Sequence, residues 1–219
     1  YILEPDTNDD ANTTYFSNLA NGTFDQEYIY ATRGYNGKIT FNAAVQYEDN
    51  LFLGLNLNSH LLRYDRSTQL FEDNTNAGSL INNIDFQNTL ATFGNGFSFQ
   101  LGGILKVTHE FRLGLTYDSP IWYNIREETT QYVSTVDESN RRTIINPKIV
   151  NIYPTYRLQT PGKFTGSLAY IFGDKGLLSF DYSIKDYGSA KFKPTGDSFF
   201  AFQNNTINNN LVAASTYRF

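Results

Sequence analysis

Three stretches of this chain repeat one pattern in different letters. Gly37–Asn58, Gly96–Asp118 and Gly162–Ser183 each read as an alternating apolar/polar run, a tight polar turn and a second alternating run. The turns fall at Glu48–Asn50, Thr108–Glu110 and Gly173–Gly176, so the unit recurs about every 60 to 65 residues. Period-2 alternation on both sides of a short turn is the pattern of an antiparallel hairpin. A chain built this way is all-β, and what has to be decided is which solvent each face of its strands meets.

Composition narrows the choice. Aromatic residues make up 16% of the 219-residue chain, with 18 Phe and 16 Tyr, and charged residues only 18%. That balance suits strands with one apolar and one wet face. The formal net charge of −5 and the lack of a basic stripe argue against a nucleic-acid partner. There is no Cys, which excludes a disulfide framework or thiolate metal site and fits an oxidising compartment. No run of about 18 apolar residues is present, so no transmembrane helix is expected.

The faces separate along each hairpin. Phe111, Leu113, Leu115 and Tyr117 alternate with Arg112, Gly114, Thr116 and Asp118; Leu51, Leu53, Leu55 and Leu57 alternate with Phe52, Gly54, Asn56 and Asn58. Leu178, Phe180, Tyr182 and Ile184 alternate with Ser179, Asp181, Ser183 and Lys185. A sandwich and a membrane barrel both produce such strands. The arms alternate for about 9 to 12 residues, near the span needed to cross a bilayer with strands and longer than the usual sandwich strand. Short turns at one end and long polar excursions at the other match outer-membrane barrels. The expected fold is therefore an antiparallel transmembrane β-barrel of outer-membrane type.

Counting crossings refines this expectation. Tight turns on one side require an even number of crossings between hairpins. The β-like stretches 24–33, 82–92 and 149–158 are therefore placed in external excursions, as strand extensions or mouth-lining loops. About seven crossings remain: two per hairpin and a last one beginning near Leu211. An open sheet in lipid leaves two edges of unsatisfied backbone, so the chain is expected to be about half of a larger barrel. The division reads as an acidic external segment over 1–23 and barrel wall over 24–219. The wall carries hairpins 37–58, 96–118 and 162–187 and external loops 61–95, 126–160 and 194–210.

The run Gln159–Phe192, with Pro161 opening a strand, the turn Gly173–Gly176 and the pattern Leu178–Tyr187, resembles the late barrel strands of the FadL/TodX-type outer-membrane transporters of hydrophobic compounds. Gly96–Pro120 is similar to another hairpin of that family. The resemblance implies a barrel of ~14 strands and passive uptake of long-chain fatty acids or other hydrophobic compounds across the outer membrane of a Gram-negative bacterium. It implies no enzyme activity, no cofactor and no metal. Its partners would be the lipid bilayer, hydrophobic small molecules and other outer-membrane proteins. The family's lumen-plugging hatch carries an Asn-Pro-Ala motif, which is absent here; Asn146-Pro147 is the one Asn-Pro pair. The hatch is expected to precede Tyr1.

Candidate residues follow from these faces. Gly54, Asn56, Gly102, Arg112, Gly114, Thr116, Asp181 and Lys185 are expected to face the lumen. Within that set, and with Ala44 and Ala169, the small residues either leave room for a ligand or relieve crowding in the wall. Phe71, Leu80, Ile81, Ile121 and Ile152 are the candidates for a capture groove at the external mouth. Tyr47, Tyr117, Trp122, Tyr123, Tyr170, Phe172, Tyr182 and Tyr187 suit interfacial girdles. A Ser59/His60/Asp65 triad fails because neighbours on a strand point to opposite faces. The acidic segment Glu4–Asp10 lacks the spacing of a calcium loop and reads as solvated. Two other functions remain open: a barrel of this fold acting as a subunit of an export or adhesion complex, and a soluble β-sandwich binding module.

Overall fold

The computed structural model describes residues 2–8, 13–146 and 149–219, and within them the chain is all-β with antiparallel pairing and one α-helix. β1 (Leu3–Pro5) and β2 (Tyr15–Ser17) form a small hairpin. The main sheet contains β3 (Asp25–Tyr47), β4 (Leu51–Asp73), β5 (Ile81–Lys106), β6 (Phe111–Asp118), β7 (Trp122–Asp137), β8 (Arg142–Ile145) and β9 (Asn151–Ile152). It continues through β10 (Tyr156–Gln159), β11 (Lys163–Ile171), β12 (Leu177–Asp186), β13 (Lys191–Lys193) and β14 (Ala213–Arg218), with helix α1 (Ser198–Asn210) between the last two.

The sheet is an up-and-down meander. β3 pairs β4, β4 pairs β5, and β5 pairs both β6 and β7. β6 and β7 therefore make one lane, interrupted at Ser119–Ile121, and β10 and β11 make the next, interrupted at Thr160–Gly162. β12 and β13 follow, and β14 closes the series against β12. Counted as lanes there are seven among the described residues. Among the described residues the sheet is open: β3 is paired only with β4, and β14 only with β12.

The three tight turns are chemically distinct. Glu48 adopts a left-handed φ of 50° between β3 and β4, and Gly173 takes φ 58° between β11 and β12, a region that glycine enters at little cost. Between β5 and β6 the Thr108 hydroxyl accepts from the backbone N–H groups of Glu110 and Phe111 at 3.2 and 3.0 Å.

The long strands contribute to two compact units: Tyr1–Gly34, Tyr64–Thr92 and Glu127–Tyr153, and then Tyr35–Arg63, Phe93–Arg126 and Pro154–Phe219. The first unit corrects the expectation of loops. Of residues 61–95, 61–73 and 81–95 are strand, joined by the short connection 74–80. Of 126–160, β7 runs to Asp137 and turns into β8. The stretch 82–92, read as β-like and placed in an external excursion, is strand throughout; over 63–69 of β4 polar residues fall on both faces, so pairing rather than apolar alternation marks that part as strand. The 1–23 segment likewise contains the β1–β2 hairpin; Asp9 and Asp10 of its acidic run lie outside the described residues, as does Pro147.

Asparagines hold this unit's connections. The Asn76 amide accepts from Thr23 N–H at 3.1 Å and donates to Thr23 C=O at 3.0 Å, as a neighbouring strand would. A Cβ on Gly22 would collide with the Asn76 side chain, so glycine is what admits that amide. In the turn after β7, the backbone N–H of Arg141 donates to Asp137 and, with the Arg141 guanidinium, holds its carboxyl below the usual range.

In the second unit the segment 194–210, expected as a loop, is mostly α1. Asp197 caps its start by accepting from the N–H groups of Phe199 and Phe200 at 2.9 and 3.2 Å. The helix docks through Asn204, whose amide accepts from Phe192 N–H at 2.7 Å and donates to Phe192 C=O at 2.9 Å. This satisfies one residue of β13, which pairs otherwise only with β10. Asn204→Leu removes both bonds together. The full-length protein is expected to lose about 1–3 kcal/mol of unfolding free energy, measured by denaturant titration, while exposed Asn205→Leu stays within about 0.5 kcal/mol.

Candidate functional site on the polar face of the second unit

Register decides which side chains meet. Gly102 pairs with Thr116 and Gln100 with Asp118; Gly114 pairs with Ser167 and Ser167 with Asp181; Asp118 pairs with Lys163 and Lys163 with Lys185. Paired residues of an antiparallel sheet share a face. Asn56 joins the same face through its bond to Gln100, and Gly54 and Arg112 follow by alternation. All eight residues expected to face a lumen thus lie on one face, which is also the polar one.

That face carries a directional ladder of side chains across five lanes. Asn42 Nδ2 donates to Asn56 Oδ1, Asn56 Nδ2 to Gln100 Oε1 at 2.8 Å, and Gln100 Nε2 to Asp118 Oδ1. Lys163 Nζ ends the chain on Asp118 Oδ2 at 2.9 Å. Asn56 and Gln100 each spend the donor on one neighbour and the acceptor on the other, so the row fixes register as well as polarity. Beyond it Lys185 stands opposite Lys163, a like-charge pair, with its ammonium 5.0 Å from the Tyr187 ring.

Beside the ladder is a depression of about 450 Å³ lined by Ala44, Gly54, Gly102 and Gly114 and rimmed by Asn42, Asn56, Gln100 and Thr116. A Cβ built on Gly54 would meet nothing within 4 Å, so the missing side chains leave open space there. Arg112, opposite Lys106, keeps its Nε buried without a hydrogen-bond partner.

Further along the strands the same face turns apolar. The Tyr123 ring lies over Gly96, and Ile125 with Leu62 lies over Gly94. Tyr123 meets His60 edge-on at 5.8 Å between centroids. Leu158 stands opposite Tyr123 and Phe192 opposite Leu158. Phe200 of α1 stacks on Phe192 at 5.7 Å, with Tyr156 5.3 Å from Phe200. An aromatic row therefore continues from His60 to α1, above a polar ladder.

Tyr123 is a correction to the girdle set: it is 5% exposed on the aromatic row, whereas its neighbour Trp122 is exposed on the other face beside Phe99. The reversal comes from the interruptions at Pro120 and Pro161, which change which residue parity lies on the face of the polar ladder. Tyr117, 4.6 Å from Phe164, and Tyr170, 4.8 Å from Phe172, do lie on the apolar face with Trp122.

The five mouth candidates are divided between the two units. In the first unit Ile81 is buried, while Phe71, Leu80 and Ile152 are exposed; Ile121 belongs to the second unit and its Cγ2 packs against Gly96. Ser59 and His60 alternate along β4, and Asp65 belongs to the first unit. His60 Nε2 lies 2.8 Å from Ser98 Oγ on the next strand, and Asn58 Nδ2 donates to that oxygen at 3.3 Å. Asp65 engages Arg33 instead. Asn58, His60 and Ser98 are all buried, and engagement of the hydroxyl from two sides makes it a structural pin. Among the described residues no group of three or more His, Cys, Asp or Glu is placed to hold a metal ion.

No family model matches the sequence, and neither a curated protein nor a solved structure is found to be similar to it.

Proposed function

We propose that this chain forms part of the wall of an outer-membrane β-barrel that conducts long-chain fatty acids or similar hydrophobic compounds passively. The observation that carries the reading is an inverted distribution of polarity in the second unit. Leu115 is 65% exposed and Leu178 62%, while Asn58 on the other face is 2% exposed. Large exposed apolar surfaces call for a partner, and lipid is the partner that suits a whole sheet face. The apolar strip also has a limited height. On β4 it runs Leu51, Leu53, Leu55, Leu57 and Leu61, then becomes Arg63, Asp65, Ser67 and Gln69 while the strand continues. About ten residues at ~3.3 Å each, tilted by ~45°, cover ~23 Å, close to the ~25 Å height of a barrel's lipid band. Closure then requires further strands against β3 and β14.

Transport of an apolar cargo is supported by the row Tyr123, Leu158, Phe192 and Phe200, which offers apolar contact beside a few fixed polar groups, the usual make-up of a small-molecule site. The test uses the full-length protein in vesicles. A fluorescent long-chain fatty acid is expected to enter faster than in protein-free vesicles, and Phe192→Arg to reduce that entry at least about tenfold. Unchanged entry in a folded Phe192→Arg variant removes the transport role. A monodisperse protein without detergent removes the membrane reading itself.

A further inference from the structure

On the apolar face of the second unit, three cations stand together just beyond the last aromatic ring. Trp122 of β7 is opposite Gln159 of β10, and Gln159 is opposite Lys191 of β13. One alternation further along, Asn124 is opposite Arg157 and Arg157 is opposite Lys193. Paired residues share a face, so Lys191, Arg157 and Lys193 lie with Trp122. Tyr123, Leu158 and Phe192, the residues between them, lie on the face of the polar ladder. Adjacent strands are ~4.8 Å apart and alternate residues of one strand ~6.7 Å, so the three side chains start within the width of one lipid headgroup.

Three features of this cluster point to one ligand chemistry. Its position is the first. Phe164, Tyr117, Phe99 and Trp122 form a line of rings on the apolar face, with successive centroids 4.6, 6.0 and 6.2 Å apart. Aromatic side chains collect where hydrocarbon meets headgroups, and the cations begin at the last ring of that line. The second is charge. Neither row holds an Asp or Glu, and among the described residues no carboxylate pairs with any of the three cations. Asp197, the acid nearest to Lys193 along the chain, spends its carboxylate capping α1. The third is repulsion. Arg157 and Lys193 are one of the three register pairs that join β10 to β13, and like charges directly opposite each other weaken a ladder. An anion held between them removes that cost. Arg157, which is exposed, offers a planar fork that matches phosphate oxygens two at a time, and the lysines add point charges beside it.

We infer that Arg157, Lys191 and Lys193 bind the phosphate of an anionic membrane lipid, whose acyl chains lie along the apolar face past Trp122 and Phe99. This rests on the membrane reading above and adds a specific lipid site to it. The site uses the face opposite Tyr123, Leu158 and Phe192, so it is separate from the proposed cargo path.

The full-length protein is reconstituted in phosphatidylcholine containing a minor fraction of dioleoyl phosphatidic acid, then extracted, and its retained lipids are counted by native mass spectrometry. The wild-type protein is expected to retain phosphatidic acid over phosphatidylcholine, and R157Q/K193Q to lower that preference about tenfold or more. K38Q/K106Q removes the same charge from β3 and β5 and is expected to leave the preference unchanged. Equal preference in wild type and R157Q/K193Q overturns the site, and so does an equal loss in K38Q/K106Q, which reduces the effect to net charge. Urea unfolding separates binding from folding. In phosphatidylcholine alone R157Q/K193Q is expected to unfold at the same midpoint as wild type or a higher one, because a like-charge pair is gone; a lower midpoint makes the pair a structural brace and overturns the inference. Phosphatidic acid is expected to raise the midpoint of the wild type and not that of the variant. Displacement of the lipid by millimolar inorganic phosphate overturns its assignment to a lipid and makes the cluster a free-anion site. Vesicle flotation distinguishes the two levels: failure of the wild-type protein to float with vesicles defeats the membrane reading, whereas flotation without headgroup preference defeats only this inference.

Discussion

Leu115→Arg is expected to destabilise the full-length protein in vesicles by about 2–4 kcal/mol, whereas Thr116→Arg, one residue on, changes stability far less. Leu115 is 65% exposed and pairs with Gly103 on one side and Gly166 on the other. It therefore stands between two residues without side chains, with no protein group to receive a guanidinium. In water such an exposed position tolerates a charge within about 0.5 kcal/mol; in hydrocarbon the charge must be desolvated or drag water with it. Thr116 points to the polar face, where Gly102 and Thr165 are its partners and there is room for a longer side chain. Reversible unfolding in urea from lipid vesicles gives the two values. Small and equal costs place both faces in water and end the barrel proposal.

Much of the wall was legible because alternation and tight turns are local. The arms around Glu48–Asn50, Thr108–Glu110 and Gly173–Gly176 could be read from neighbours within a dozen residues, and so could the sides on which Leu115 and Thr116 lie. The extensions were only partly legible. Residues 82–92 read as β-like and are strand, whereas over 63–73 Asp65, Ser67 and Gln69 leave no apolar stripe to announce the strand. Pairing with a neighbouring strand, which a local window cannot see, makes them β; Gln69 donating to Asp85 at 2.9 Å is one such contact.

The site was less legible than the wall because it is made of registers. Asn42, Asn56, Gln100, Asp118 and Lys163 become a ladder only when four strand pairs are aligned, and the β4–β5 pairing joins residues more than forty apart through a distant turn. Tyr123 was hidden differently. Strict alternation from Phe111 places it with the outward residues, but the lane breaks at Pro120 and the next lane at Pro161, with Ile121 N–H donating to Thr160 Oγ1 at 2.9 Å across the gap. Two prolines at matching points of adjacent lanes are a visible signal that parity changes there. Asn204 had no such signal: its role depends on a backbone residue of β13 that lacks a second strand partner.

Gly96→Ala tests whether the aromatic row is as fixed as its geometry implies. A Cβ there would lie 2.7 Å from Tyr123 Cδ1 and 3.2 Å from Ile121 Cγ2, closer than carbon atoms approach without displacement. Tyr123 has nowhere easy to go: His60 is on one side, itself bonded to Ser98, and Leu158 is its partner on the other. Overpacking of this kind costs about 1–3 kcal/mol. Gly54→Ala is the matched control, since its Cβ would enter open space. It is expected to be neutral, or stabilising by up to about 1 kcal/mol through the reduced freedom of the unfolded chain. Because both are single-methyl additions on the same sheet face, their difference isolates the close approach of Tyr123 from any general intolerance of the strand. The same pair separates the two parts of the polar face in function. If cargo passes along the aromatic row, Gly96→Ala slows fatty-acid entry and Gly54→Ala leaves it unchanged; the opposite order moves the path to the glycine-floored depression, where added bulk at Gly54 is the obstruction.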